Sequence, residues 1–135
     1  VVNEVTHRLV SLPVIRDARG ALGFAQAGAQ IPFEPRRVFY LYSVAAGASR
    51  GGHAHRAQHQ FLIQLAGRCR VTVTDGSARH EIALENDAQG LYLPPMLWLD
   101  LDNFTPDAVC LVLASGVYDE SDYIRDMAEF RRLTQ

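Results

Sequence analysis

Cysteine is scarce in this 135-residue chain: Cys69 and Cys110 stand alone, each inside a strand-like run and not in a CxxC pair. Their scarcity excludes a disulfide framework and a zinc knuckle, and both are expected to be structural. Long apolar runs are missing as well. No segment reaches the ~18 uninterrupted apolar residues of a membrane span, and Val1 to Arg19 lack a charged head followed by an apolar stretch. A soluble, cytoplasmic protein is the expectation. Neither sign of charge dominates, since the formal net charge is −2 and the pI lies near 6.2. Without a broad basic field, nucleic acid and anionic membrane are poor partners, and a small molecule is the expected one.

Helical periodicity is confined to the C-terminus. There Tyr123, Ile124, Met127 and Phe130 recur at three- to four-residue spacing behind a Ser121-Asp122 start signal, which predicts a short helix packed on the rest. Elsewhere, short β-branched and aromatic runs alternate with Gly, Pro, Asp and Asn clusters: residues 37–44, 60–65, 69–74, 80–84, 90–93, 97–101 and 109–113. Asp75-Gly76 marks a turn after the third of these, and Pro94-Pro95 redirects the chain after the fifth. This rhythm reads as an all-β sandwich or barrel. With 48% hydrophobic residues, no repeat and no linker, residues 1–135 are expected to form one domain with a real core.

The stretch from Gly47 to His55 carries the chemistry. Five residues separate Gly47 from His53, one separates His53 from His55, Gln60 follows after four more, and Gly67 after a further six. This is the spacing of the first cupin motif, with glutamine at its usual glutamate. Pro94 to Asn103 keeps the spacing of the second motif, with Leu99 at its histidine position. Residues two apart on a strand share a face, so His53 and His55 are expected to enter the lumen of a cupin jelly-roll β-barrel together. Metal cupins complete their site with the glutamate and the third histidine. Neutral Gln60 and Leu99 supply neither, so no metal is expected. An imidazole without a metal serves best as an acid or base near neutrality, which makes proton transfer the leading chemistry.

The chain resembles the cupin 3,4-ketoisomerases acting on dTDP-4-keto-6-deoxyglucose, the WxcM-like sugar ketoisomerases. The resemblance rests on Arg37 to Tyr42, on Arg50-Gly51-Gly52-His53-Ala54-His55, on Gly90 to Trp98 and on the tail from Tyr118 to Asp126. It implies a jelly-roll homodimer that moves a carbonyl from C4 to C3 of a dTDP-linked hexose, for transamination into a 3-amino deoxysugar, without a cofactor. It also implies that His53 is the base at carbon and that His55 moves protons on the sugar oxygens or orients the enediolate.

Such an intermediate needs hydrogen-bond donors, and a diphosphate needs positive charge. Arg19, Arg37, Tyr40 and Arg50 are the candidates, with Leu99 facing the same cavity. Either Arg37, Phe39 and Leu41 or Val38, Tyr40 and Tyr42 line the lumen, a choice alternation leaves open. His7, His59 and His80 read as surface residues and Trp98 as core. Tyr123 and Arg125, in the acidic tail, read as packing or dimer contacts. Relatives often carry a polar or basic residue at Leu99, which leaves the product's configuration at C4 open, and a tyrosine at Phe39, whose proton-relaying hydroxyl is missing here. Two rivals stand beside this reading: a 3,5-epimerase of a 4-keto-6-deoxy sugar, and a non-catalytic sugar-binding cupin.

Overall fold

The computed structural model describes residues 6–135. Among these residues twelve strands form two five-stranded antiparallel sheets and a hairpin. The first sheet has the order β1 (Arg8–Ser11), β9 (Gln89–Leu93), β6 (Gln60–Ala66), β11 (Val109–Ala114), β4 (Arg37–Tyr42). The second has the order β12 (Tyr123–Ile124), β5 (Arg50–His55), β10 (Trp98–Asp102), β7 (Cys69–Thr74), β8 (Arg79–Leu84), and β2 (Val14–Asp17) with β3 (Gly20–Gly23) makes the hairpin. Among the described residues no strand pairs one five-stranded sheet with the other, so the jelly roll is two facing layers and not a hydrogen-bonded cylinder.

Alternation within each strand builds the core. Leu62, Leu91, Leu93, Cys110 and Val112 of the first sheet meet Cys69, Val71, Val73, Leu99 and Leu101 of the second, all nearly fully buried. Burying a side chain of this size contributes roughly 1.5–3 kcal/mol, so the layers are held chiefly by this apolar interior. Cys69 and Cys110 sit in it as free thiols. On the outer face of the second sheet, Trp98 and Ala54 pack under Ile124 and Phe130. Trp98 is thus core, with its ring 5.7 Å from that of Phe130 and its indole N–H on the Asp100 carboxylate at 3.2 Å.

The predicted C-terminal helix is present but starts later. Glu120–Asp122 form a single 3₁₀ turn, Tyr123–Ile124 are extended against His55 and Ala54, and α1 runs Met127–Thr134. Asp126 explains the delay: its extended backbone and its carboxylate, which accepts from Ala128 N at 3.0 Å, make it the N-cap. No helix among the described residues is long and apolar enough to cross a membrane.

Candidate active site

The two histidines reach the space between the layers because of the glycines before them. Gly51 and Gly52 take φ values of 86° and 73°, a region that side chains disfavour. A Cβ on Gly51 would stand 2.6 Å from the Leu99 carbonyl oxygen, where the pairing of β5 with β10 shifts register. The kink delivers His53 and His55 to the inner face of β5, with their rings edge to face and centroids 5.1 Å apart.

His53 lines a cavity of about 350 Å³ between the sheets. Its floor is apolar, built from Leu41, Leu62, Leu99, Leu101 and Val112, and its walls carry Arg37, Arg50, Gln60, Tyr118 and Arg125. Burial, followed by the neighbouring His55, pushes the His53 imidazole down to about 4. It is therefore neutral at pH 7, with a buried Nδ1 that has no hydrogen-bond partner.

His55 is more deeply placed, at 5% exposure. Its Nδ1 lies 2.9 Å from the Asp122 carboxylate, itself buried, and its Nε2 is buried without a partner. Asp122 also accepts from the backbone N–H of Ala57 at 2.8 Å and of Gln58 at 3.3 Å, which anchors the 3₁₀ turn beneath β5. Burial lowers the His55 imidazole, while the hydrogen bond and charge of Asp122 oppose that shift.

A rim formed by residues 118–125 closes one side. The Tyr123 ring packs on both imidazoles, at 4.9 Å from His53 and 4.4 Å from His55, and the Arg125 guanidinium lies over it at 4.3 Å. Arg125 donates to Glu120 through Nε at 2.6 Å and Nη2 at 3.0 Å, and the Tyr118 hydroxyl donates to the same carboxylate. Together they hold Glu120 down at about 2, so it stays ionised across the neutral range. Beside the rim, with its guanidinium 5.7 Å from the centre of the Tyr118 ring, Arg37 donates to Gln58 Oε1 at 3.1 Å and keeps a buried, unpaired Nε.

Arg37, Arg50 and Leu99 therefore stand with His53 around one cavity. Arg37, Phe39 and Leu41 are the inward face of β4, which resolves the choice that alternation left open. Arg19 and Tyr40, the other two expected binding residues, stand elsewhere in the single chain. Arg19 sits on the β2–β3 turn with its side chain 90% exposed and paired at 2.7 Å with Asp17, and Tyr40 faces outward on β4, stacked on Tyr42. Neither lines this cavity. What sequence reasoning missed is the tail: Asp122 and Tyr123 contact the histidines, and Tyr118 and Arg125 line the cavity. The density of ionisable and aromatic residues from Tyr118 to Arg125 was the available signal.

The residues at the two missing cupin positions do not suit a metal. Gln60 is neutral, Leu99 has no lone pair, and Asp122 is engaged by Nδ1 of His55. Among the described residues no group of three or more His, Cys, Asp or Glu side chains could hold an ion. His7 and His80, with rings 5.0 Å apart beside a separate cavity of about 400 Å³, gather no third ligand either.

A jelly roll with a histidine among arginines on the wall of a partly apolar cavity, and a second histidine packed against it on a buried carboxylate, defines a small-molecule acid–base protein of the cupin kind. More narrowly, the chain belongs to the family described as FdtA: WxcM-like, C-terminal, which matches residues 5–135. It is 39% identical over 126 residues to a TDP-4-oxo-6-deoxy-alpha-D-glucose-3,4-oxoisomerase from Aneurinibacillus thermoaerophilus, covering 93% of this chain and 91% of that one. A histidine-to-asparagine mutant of the 3,4-ketoisomerase QdtA from Thermoanaerobacterium thermosaccharolyticum, solved with TDP-4-keto-6-deoxyglucose, superimposes with a TM-score of 0.93 at 32% identity, covering 98% of this chain and 96% of that one. ChmJ, a 3'-monoepimerase from Streptomyces bikiniensis, shares the fold at a TM-score of 0.76 but only 19% identity, over 87% of this chain and 67% of that one.

Proposed function

We propose that the protein is a nucleotide-sugar 3,4-ketoisomerase, converting dTDP-4-keto-6-deoxyglucose to a dTDP-3-keto-6-deoxyhexose. The observation that carries this reading is the neutral His53 at the wall of the cavity, beside a second imidazole with an unpaired Nε2. The C3 proton lies alpha to the C4 ketone, so His53 removes it while the C3–H electrons form C3=C4 and the carbonyl electrons move to O4. His55 passes the O3 proton to O4. Collapse of the O3 oxyanion then restores a carbonyl at C3, and C4 takes a proton from the His53 imidazolium once its N–H has exchanged with solvent. Atoms balance without an external oxidant or cofactor. The chain contains no lysine, so a Schiff base to the sugar ketone has no side-chain amine to form on.

Arg37 and Arg50 supply positive charge for the diphosphate, and the unpaired Nε of Arg37 suits a phosphate or enediolate oxygen. Leu99 offers no proton donor on its side of the cavity. Reprotonation at C4 is assigned to His53 and not to a donor at position 99. The 3,5-epimerase reading is weaker, because the carboxylate at this site serves His55 and none contacts the cavity histidine within hydrogen-bond distance. A homodimer accords with the outward face of edge strand β4, where Val38, Tyr40 and Tyr42 are each more than half exposed.

Replacing His53 with Asn tests the base. Turnover is expected to fall by at least about 10²-fold while TDP still binds, and an active variant would overturn the assignment.

A further inference from the structure

Among the described residues Asp122 is the one carboxylate buried against the site, and its geometry goes beyond packing. One oxygen lies 2.9 Å from His55 Nδ1, and the other accepts the backbone N–H of Ala57 at 2.8 Å. An ionised carboxylate can only accept, so a hydrogen bond to it requires the proton on Nδ1. That leaves Nε2, buried and unpaired, as the lone-pair nitrogen of the neutral ring. Tyr123, against both imidazoles, and the pairing of Tyr123 with His55 across β12 and β5 prevent the ring from turning away.

We propose that Asp122 is a positioning residue that fixes His55 in its Nδ1–H tautomer and stabilises the imidazolium that forms while His55 holds the O3 proton. The proposal rests on the ketoisomerase reading and gives the division of labour within the pair a physical basis in Asp122. His53 has no carboxylate partner and is held neutral by burial, as proton transfer at carbon requires. His55 alone has a fixed anion behind it, as a group that must carry a positive charge between two oxygens requires. In transfer through His55, Nε2 accepts from O3–H and returns a proton to O4, while the Nδ1 proton never leaves the carboxylate.

The tautomer can be read without substrate. Nitrogen-15 NMR of the wild-type protein at neutral pH is expected to show His55 protonated at Nδ1 and bare at Nε2; protonation at Nε2 overturns the proposal. Asp122→Asn keeps the size; with its oxygen held by the shorter Ala57 bond (2.8 Å against 3.3 Å for Gln58), its amide N–H₂ faces Nδ1, gives up the Gln58 contact and forces the proton onto Nε2. The variant is expected to bind TDP, to show the switched tautomer, and to lose about 10²-fold or more in kcat with KM little changed. Unchanged kcat with a switched tautomer would overturn the catalytic consequence. Asp122→Glu, which restores a carboxylate, is expected to recover part of the rate, and no recovery in a folded, TDP-binding protein would count against the role. Wild-type protein inactive on dTDP-4-keto-6-deoxyglucose would instead sink the ketoisomerase reading, with the tautomer measurement still deciding the pairing.

Discussion

His53 and His55 are two residues apart and chemically identical, yet their surroundings give them different tasks. Desolvation holds His53 at about 4, well below the ordinary imidazole value, so it remains a free base throughout the neutral range. The acid limb of kcat/KM is therefore expected well below the usual 6.5 of histidine, and a pH–rate profile of the wild type checks this. The same shift has a stability consequence. Between pH 6.5 and about 4 the unfolded chain binds the proton that folded His53 refuses, so its contribution to stability is complete above 6.5 and is lost as pH falls through that window. Denaturant midpoints measured at pH 7 and pH 5 should differ in that direction, and by less in His53→Asn.

At the scale of elements, the bend at the start of β5 matters most. Gly51→Ala would place a Cβ against the Leu99 carbonyl at a φ of 86°, so a loss of about 1–3 kcal/mol and a lower Tm are expected. A variant as stable as the wild type would contradict this view of the bend. Most strands around the site are legible as β-branched and aromatic runs between turn residues: residues 69–74 match to the residue and β4, β6 and β11 to within two, whereas the Gly-rich β5 is marked only by its paired histidines. The short strands β1, β2 and β3 are not legible, since their four-residue spans are mostly exposed and carry little pattern. The tail misled for a different reason. Tyr123 and Ile124 fit a helical period with Met127 and Phe130, but their backbone groups pair with β5, an interaction that no local spacing records. Asp122 was missed with them, because its partner is 67 residues away. Met96 was passed over too, although it stands at the glycine position of the second motif and adopts a φ of 63°.

At the scale of the whole molecule, the layers form an apolar box with a charged mouth, and the outward face of β4 is left bare. A homodimer that covers Val38, Tyr40 and Tyr42 is expected in solution, and light scattering of the wild type and of Tyr40→Arg checks it: the variant should shift toward monomer. A wild-type monomer would contradict that use of the face. The jelly roll alone does not name a reaction, as ChmJ shares it at 19% identity. Proton bookkeeping does. Incubation with dTDP-4-keto-6-deoxyglucose in deuterium oxide is expected to place deuterium at C4 of a 3-keto product. Deuterium at C3 and C5 of a sugar that keeps its 4-keto group, or no exchange at all, would contradict the assignment of His53 and His55 to carbonyl transfer.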